Sequence, residues 1–371
     1  MRERDIVSAR CRVAILGFGT VGAAVARRLT AASGAPSNLH LTHIFDRRAS
    51  EKRASLPAGP PPGSTAPRPR SRSDHIVWTS SIDEILHSDA DVIVETIGGA
   101  EPAAGWIRAA LLAGKSVVTA NKQVIARDGS ALQTLASRQG RQLRFEAAVG
   151  GAMPIVRAIG EGLAGDRIIR LTAILNGTTN AVLSQIEATG CTLDEAVRDA
   201  RARGYAEADP SADLDGDDAR AKLAILCALA FGLRVDPAQI ETRSCAAITA
   251  ADFAQAKQRG ATIRQIAHAA YDHAARALTA RVAPVEVDRS SIFAAATGPQ
   301  NAALITGAHS GDIGIFGAGA GGDATAVAVL GDITAIARDR SAIVPAPTLR
   351  ADFRLQRADV GVESGLSVEV A

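Results

Sequence analysis

The chain has 371 residues, of which 47% are hydrophobic and 22% are charged, as in an ordinary globular protein. Its 41 basic and 39 acidic residues leave a net charge of +2, and only 3% of the residues are aromatic. Such a chain has no strong field to attract nucleic acid or a membrane surface, and it has few rings to stack on bases. We therefore expect a small-molecule partner, with neither nucleic acid nor membrane. The length fits two domains better than one.

Four cysteines, Cys11, Cys191, Cys227 and Cys245, are scattered without a CxxC pair. This spacing argues against a disulfide framework or a structural zinc site. The charged stretch 1–10 is unlike a signal peptide, and no apolar run reaches the ~18 residues of a membrane span. The sequence therefore predicts a cytoplasmic protein.

Short apolar runs alternate with amphipathic segments in the first part of the chain. The runs predict strands at 12–16, 39–45, 75–78, 91–97, 116–120 and 143–149. The segments between them predict helices at 23–31, 81–87, 101–114 and 130–139. This order is typical of parallel strands joined by right-handed crossovers. We therefore expect a Rossmann-type doubly wound α/β sheet, in a dinucleotide-binding domain that covers residues 1–150.

A proline-rich segment at 54–73 interrupts this order. It has no apolar periodicity and is predicted to be a mobile surface insertion. Its arginines are compatible with an anionic ligand, but a solvated loop is the simpler interpretation.

The pattern changes after Gly150. Strands are predicted at 167–175, 281–287 and 311–316, and helices near 179–188, 192–203, 217–231, 262–277 and 323–338. This mixed order indicates a second, α+β domain for substrate binding and dimerisation at 151–322. Residues 323–371 are expected to pack back onto the first domain.

A GxGxxG motif lies directly between the first predicted strand and the first predicted helix. It consists of Gly17, Phe18, Gly19, Thr20, Val21 and Gly22. Gly17 suits the tight turn, Gly19 lets the backbone approach a pyrophosphate, and Gly22 allows close packing of helix on strand. The helix N-terminus then offers free N–H groups to the phosphates. The motif predicts a dinucleotide site, and the alternative is a glycine-rich packing turn.

Asp46 ends the second predicted strand, where an acidic residue would bind the adenosine ribose of NAD. Arg47 and Arg48 follow at once, and a guanidinium there suits the 2′-phosphate of NADP. Local pairing of Asp46 with one of these arginines is a third interpretation. The sequence leaves the choice between NAD and NADP open.

Further motifs follow the predicted strands and helices. They are VETIGG at 94–99, VTANK at 118–122, FEAAVGG at 145–151, ILNGTTN at 174–180, GYAEADP at 204–210, DLDGDDARAK at 213–222 and GAGAG at 317–321. In this order and spacing, residues 12–335 resemble the homoserine dehydrogenases. The resemblance implies NAD(P)-dependent interconversion of L-aspartate 4-semialdehyde and L-homoserine in threonine and methionine biosynthesis.

The resemblance also implies roles for individual residues. Lys222 would donate the proton to the aldehyde oxygen, and Asp218 would orient the substrate beside it. Glu207 and Asp213 would bind the substrate, Glu207 through its ammonium group. Lys122 would be a second active-site lysine, close to both nicotinamide and substrate.

Cofactor and cation contacts follow from the same resemblance. Thr96 and Gly321 would touch the NADP or NAD cofactor. A monovalent cation, Na⁺ or K⁺, would be held mostly by backbone carbonyls, in a segment that includes Glu146, Val149, Gly151 and Met153. The family also implies a homodimer. Because the chain ends soon after the last motif, feedback inhibition by threonine through a C-terminal regulatory domain is not expected.

The residues themselves fit this chemistry. Reduction of an aldehyde needs a hydride donor and a group that protonates the developing alkoxide. The segment 219–231 around Lys222 contains Arg220 as its only other charged residue, so this helix is predicted to be largely buried. Asp218 lies four residues earlier on the same face. The alternative is a routine ion pair on an exposed helix.

Simpler interpretations exist for other candidates. Glu207 fits a solvated acidic loop, Lys122 a surface loop, and Glu146 a strand residue satisfied by backbone donors. His268 and His273, five apart on one predicted helix, face differently and make a poor metal pair. Another NAD(P)-dependent amino acid or semialdehyde dehydrogenase is the main alternative function, and a non-catalytic dinucleotide sensor is a further one.

Overall fold

The computed structural model describes residues 10–31, 38–56, 75–207, 209–338 and 354–356. Residues 57–74, which hold most of the proline-rich segment, lie outside these ranges. The chain divides into two compact units. The first contains the described residues up to Ala147 and those from Thr325 to Arg338, and the second contains Ala148–Ala324 and residues 354–356.

The first unit is built on a parallel sheet. Its strands are β1 (Cys11–Leu16), β2 (Leu39–Phe45), β3 (Val77–Thr79), β4 (Val92–Glu95), β5 (Ser116–Thr119) and β6 (Leu143–Arg144). Its helices are α1 (Thr20–Thr30), α2 (Ala49–Lys52), α3 (Ile82–His87), α4 (Ala103–Leu112), α5 (Lys122–Arg138) and, from Thr325 onward, α13 (Gly322–Arg338). The strand order is β3-β2-β1-β4-β5-β6, and every pairing is parallel. The predicted Rossmann-type fold is confirmed.

The core of this unit explains its patterning. Strands β4 and β5 are buried along their whole length because helices cover parallel sheets on both faces. Helix α13 adds Val329 and Ile333, both 0% exposed, to the same core as Val13 and Val92 of the sheet. This part of the C-terminal segment therefore packs in the first unit.

The second unit is built on a mixed sheet. Its strands are β7 (Ile168–Ile174), β8 (Glu241–Thr242), β9 (Ala261–Asp272), β10 (Ala277–Asp288), β11 (Gln300–Gly307), β12 (Gly311–Ala318) and β13 (Arg354–Gln356). Its helices are α6 (Ile155–Arg157), α7 (Gly177–Thr189), α8 (Leu193–Ala202), α9 (Ser211–Leu214), α10 (Asp217–Phe231), α11 (Ala250–Gln258) and α12 (Ile292–Ala295). The order is β12-β11-β7-β9-β10-β13, and β8 pairs with β10. Among the described residues, none of the helices has the length and apolar character needed to cross a membrane.

Three expectations from the sequence are wrong. The segment predicted as a helix at 262–277 is strand β9 and the start of β10, because alanines that suit a helix here pack on both faces of a buried strand. The last strand of the first sheet ends at Arg144, and Glu146–Ala148 form a 3₁₀ turn. Residues 354–356 pair with β10 of the second sheet, so 323–371 does not pack on the first domain as a whole.

His268 therefore lies on β9 and not on a helix, and its Nδ1 is 3.0 Å from the hydroxyl of Thr172. Burial, followed by the charges of Arg281 and Arg170, lowers the pKa of His268 to about 4. An unfolded histidine titrates near pH 6.5, so this group is neutral in the fold at pH values where the unfolded chain would bind a proton.

We expect this contribution to stability to be complete above about pH 6.5 and to be lost as the pH falls through about 4, by up to ~3 kcal/mol. Urea unfolding across this pH range should therefore be less pH-dependent in His268→Asn than in the parent. The exposed His309→Asn is the matched control. Equal pH dependence in the parent and His268→Asn would show that His268 does not carry the effect.

Candidate active site

The glycine turn joins β1 to α1 as the motif requires. Gly17 has a φ of +94°, which favours glycine. A Cβ on Gly22 would lie 2.0 Å from the carbonyl oxygen of Gly17, so only glycine lets the helix approach the strand this closely. A Cβ on Gly19 would meet nothing within 4 Å, which leaves the turn open to a ligand. The hydroxyl of Thr96 donates to the carbonyls of Leu16 and Gly17 at 3.1 and 2.9 Å.

The carboxylate of Asp46 lies beside this turn and is already bound. Its Oδ2 accepts from the backbone N–H of Phe18 at 3.0 Å and from Lys52 Nζ at 2.7 Å, and its Oδ1 accepts from the N–H of Arg48 at 2.9 Å. Burial raises the pKa of this carboxyl, but the bonds from Lys52, Arg48 and Phe18 outweigh burial and leave it below its usual value. The ion-pair partner is thus Lys52 and not one of the two arginines considered from the sequence.

A second set of contacts fixes the loops that follow β4 and β5. Glu95 is 0% exposed and accepts from the N–H groups of Ile97 and Gly98. Its other oxygen accepts from the hydroxyl of Thr119 at 2.5 Å. Asn121 donates to the carbonyl of Gly99 at 2.6 Å and caps helix α5. The two loops are therefore tied together.

Lys122 follows the Asn121 cap and is the first residue of α5. It is half-buried. Its backbone position is consequently set by the contacts of Asn121 and Thr119 in the preceding loop.

In the second unit, Lys222 lies on α10 with its side chain only 12% exposed. Its Nζ is 2.7 Å from Oδ2 of Asp218, whose side chain is 7% exposed, and donates to the carbonyl of Leu175 at 2.8 Å. The ion pair spaced i,i+4 is therefore buried, which excludes the routine surface pair. A buried amine and carboxylate persist only when fixed partners satisfy them.

Asn176 supplies the other partner. Its Nδ2 donates to Asp213 at 2.7 Å and to Asp218 at 2.8 Å, so one amide holds two carboxylates together. Its Oδ1 accepts from the N–H of Thr179 and caps helix α7. The cluster of Asn176, Asp213, Asp218 and Lys222 thus forms where β7 ends and α7 begins.

This cluster can bind and protonate a small polar molecule. An ammonium group carries three donors, and Asp218 and Leu175 use two of those of Lys222. The third is free to reach a carbonyl or hydroxyl oxygen of a ligand. The paired carboxylates supply negative charge for a cationic group of the same ligand.

Comparisons with known proteins agree with both units. A family model for the homoserine dehydrogenase NAD-binding domain matches residues 17–146, and one for homoserine dehydrogenase matches residues 154–334. The homoserine dehydrogenase of Mycobacterium tuberculosis is 39% identical over 339 residues, which are 88% of this chain and 72% of that one. The chain belongs to the homoserine dehydrogenase family. It is an oxidoreductase that acts on a CH–OH group.

Solved structures of the family have the same fold. The homoserine dehydrogenase of Thiobacillus denitrificans is 30% identical, with a TM-score of 0.79 over 94% of this chain and 80% of that one. A hyperthermophilic archaeal homoserine dehydrogenase in complex with NADPH is 28% identical, with a TM-score of 0.71 over 89% of this chain and 98% of that one. The NAD(P)-binding character of the first unit is therefore shown.

In the described part of the chain, Glu207 makes no hydrogen bond or ion pair with the cluster of Asn176, Asp213, Asp218 and Lys222. It lies in the loop between α8 and α9, its side chain is exposed, and the carboxylate has no hydrogen bond to any described residue. Its backbone carbonyl accepts a hydrogen bond from Nε of Arg201 at 3.1 Å. Asp209 caps the end of the same loop through Ser211. A substrate role for Glu207 stays a prediction.

The segment predicted to hold a cation is a tight backbone loop. Val149 and Met153 are 0% exposed, and the N–H of Met153 donates to the carbonyl of Gly150. Gly151 has a φ of +63° and lies so close to Gly319 that a Cβ would be 2.8 Å from its carbonyl. Glu146, 3% exposed, belongs to the first unit, where its N–H donates to Asp332. In the described residues, acidic, histidine and cysteine side chains do not gather into a group of three or more that could hold a metal.

The remaining cofactor candidates lie in loops or at helix starts. Phe18 is buried against Trp78, and Thr20 begins α1 with Val21 behind it. Gly321 has a φ of +108° with open space around it, immediately before α13. Their contacts with a cofactor stay predictions.

Sequence reasoning missed two residues of the site. Asn176 stands in the quoted ILNGTTN motif, and an asparagine before a helix signals a cap, but nothing local shows that its amide bridges two distant aspartates. Lys52 comes six residues after Asp46, at the end of the short helix α2. Lys52 also donates to the carbonyl of Phe18 in the glycine turn at 2.9 Å, a contact across 34 residues that has no local sequence signal.

Asn176→Asp tests the bridging amide while keeping the helix cap. The change replaces a donor by a carboxylate oxygen that faces Asp213 and Asp218, and like charges at this distance repel. We expect kcat for homoserine to fall at least ~10-fold, since Lys222 loses its fixed partner. Circular dichroism should show unchanged helix content because Thr179 keeps its acceptor. Wild-type turnover in this variant would rule out the positioning role of Asn176.

Proposed function

We propose that the protein catalyses the NAD(P)-dependent interconversion of L-aspartate 4-semialdehyde and L-homoserine. The observation that supports it best is the buried Lys222, held between Asp218 and the carbonyl of Leu175. Burying an amine and a carboxylate costs free energy that an apolar pair would not, so their presence here points to a task. Threonine and methionine biosynthesis is the pathway in which this reaction serves.

NAD(P), when bound at the glycine turn of the first unit, would supply or accept the hydride at the carbon that carries the oxygen. In the reducing direction, the Lys222 ammonium donates a proton to that oxygen as negative charge develops on it. Asp218 keeps the amine in place, and Asn176 keeps Asp218 in place. In the oxidising direction, the amine of Lys222 takes the proton back from the hydroxyl of homoserine.

The amino acid end of the substrate carries an ammonium and a carboxylate. Glu207 is an exposed carboxylate with no side-chain partner among the described residues, so it is available for the ammonium. Asp213, which accepts a hydrogen bond from Asn176, adds a second negative charge that would attract the same ammonium. Lys122 is the first residue of α5. Its ammonium and the positive N-terminal end of that helix both favour a negative group such as the substrate carboxylate.

Lys222→Met tests the assignment of the proton donor. We expect kcat to fall by ~10²–10⁴-fold, since a positioned acid contributes this much, while the Kd for NADPH stays within a few-fold. Removing one member of a buried pair also costs about 3–5 kcal/mol of stability. The double variant Lys222→Met with Asp218→Asn, which removes both charges, therefore separates inactivity from unfolding.

Lys122→Met is the matched comparison for the same measurement. It should raise the KM for homoserine more than it lowers kcat. If Lys122→Met abolished kcat while a folded Lys222→Met kept turnover within a few-fold of the parent, the two lysines would have exchanged roles.

We further propose that NADP(H) is the preferred cofactor. Both oxygens of Asp46 are engaged by Lys52, Phe18 and Arg48, so this carboxylate is poorly placed to accept from a ribose hydroxyl. The Lys52 ammonium beside it, and the exposed Arg47 and Arg48, suit a 2′-phosphate instead.

Lys52→Met removes this charge and keeps most of the side-chain stem. We expect the KM for NADPH to rise about tenfold, equivalent to one charge-assisted hydrogen bond, while the KM for NADH changes little or falls. Lys52→Arg, which keeps the charge, should retain the preference for NADPH. An equal change of KM for both cofactors in Lys52→Met would contradict the role of Lys52.

A monovalent cation, Na⁺ or K⁺, is proposed at the 149–153 loop of the second unit, where backbone carbonyls would supply most of the ligands. Hard cations prefer such oxygen ligands. Activity should then be higher in KCl or NaCl than in tetramethylammonium chloride of equal ionic strength. Equal activity in all three salts would argue against the cation.

The protein is further proposed to act in the cytoplasm as a homodimer, associated through the second unit. Sedimentation at several concentrations tests the oligomeric state.

A further inference from the structure

The second unit contains a cavity of about 890 Å³ away from Lys222 and Asp218. It lies among α7, α8, α11 and the turn around α12, and its volume is in the range of ligand pockets. Apolar groups such as Phe253 line part of it, together with hydroxyl and charged side chains.

Cationic groups outnumber carboxylates on its wall. Arg203, Lys257, Arg264 and Arg289 face two carboxylates, Glu187 and Asp199. Both carboxylates are already in ion pairs. Glu187 binds Arg264 at 2.9 Å and Arg289 at 3.0 Å, and Asp199 binds Arg203 at 3.0 Å. The cavity is therefore positively charged overall.

Buried hydrogen bonds and ion pairs hold two of these cations in place. Arg264 has a side chain only 1% exposed and also donates to Thr262 and to the carbonyl of Ile263. It fixes Glu187, which in turn holds the half-exposed Arg289 at the cavity wall. Lys257 on α11 is exposed and adds a further cation to the cavity wall. Because Arg289 is held in place by Glu187, it loses less side-chain freedom on binding a carboxylate or phosphate group than an unrestrained arginine would.

The cavity wall continues into the predicted substrate loop. Arg203 and Tyr205 line the cavity, and Glu207 follows two residues after Tyr205. The carbonyl of Tyr205 accepts from the hydroxyl of Thr178 at 2.6 Å. Thr178 is in the first turn of α7, next to the Asn176 cap that holds the aspartates.

From these contacts we propose that this cavity is a regulatory site for a small organic polyanion, which bridges Lys257 and Arg289 and reaches Arg203. An occupant would tie α8 and α11 together and so hold the loop that carries Glu207. Its effect should be on the KM for homoserine and not on the KM for the cofactor. This kinetic effect rests on the proposed function, whereas binding of the polyanion is independent of it.

Binding is measured by isothermal titration calorimetry with two probes, citrate for carboxylates and pyrophosphate for phosphates. NADPH and homoserine, a pair that does not react, are kept saturating to occupy the dinucleotide and substrate sites, and chloride keeps the ionic strength constant. We expect saturable binding of at least one probe at one site per chain. Arg289→Gln and Lys257→Gln should each weaken it about tenfold. Arg259→Gln, which removes an exposed arginine that does not line the cavity, should leave it unchanged.

The kinetic arm measures the KM for homoserine with and without the bound probe. We expect a shift of KM in the parent and in Arg259→Gln, and none in the double variant Arg289→Gln with Lys257→Gln. Failure of both probes to bind, or binding that is unchanged in the double variant, would overturn the site. Binding without any shift of KM would overturn the regulatory role. A chain that binds the probe but does not oxidise homoserine would sink the proposed function and leave the site intact.

Discussion

The site depends on one buried contact, the ion pair between Lys222 and Asp218. An ammonium and a carboxylate leave water at a cost that their mutual attraction repays only when further hydrogen bonds satisfy them. The carbonyl of Leu175 satisfies the amine, and the amide of Asn176 satisfies the carboxylate. Both partners come from the end of β7 and the start of α7, so the position of a side chain on α10 is determined by two other elements. The geometry of this cluster is therefore a property of the second unit's fold and not of one helix.

Polar side chains at the carboxyl ends of the first sheet follow a similar logic. Ligands of open α/β sheets bind at this edge, yet several polar residues there hold the backbone instead of facing a ligand. Glu95 is fully buried and fixes the loop after β4, while Thr96 fixes the glycine turn. Asp46 accepts hydrogen bonds from Lys52 and from the backbone N–H groups of Phe18 and Arg48. An open edge with fixed loops presents backbone N–H groups in constant positions, which suits a phosphate-bearing ligand.

Much of the fold could be predicted from the sequence, because periodic burial is a local signal. The strands and helices of the first unit follow the alternation of apolar runs and amphipathic segments, and α3, capped by Ser81, lies within the helix predicted at 81–87. The prediction failed at β9, where alanines favour a helix, but pairing with β7 and β10 buries both faces of an extended strand. Strand β11 and the short helices α9 and α12 were missed as well, since their apolar residues show no clear period over so few positions.

The site was predictable as a set of residue types but not as a set of contacts. The motifs single out two lysines, and only the three-dimensional structure shows how their surroundings differ. Lys222 is nearly enclosed beside a fixed carboxylate, an environment that holds an amine at one point and suits the transfer of a proton. Lys122 starts a helix, where the partial positive charge of the N-terminus disfavours a cation unless a negative group lies close by. The same residue type therefore stands in two different surroundings, one beside a buried carboxylate and the other at the start of a helix.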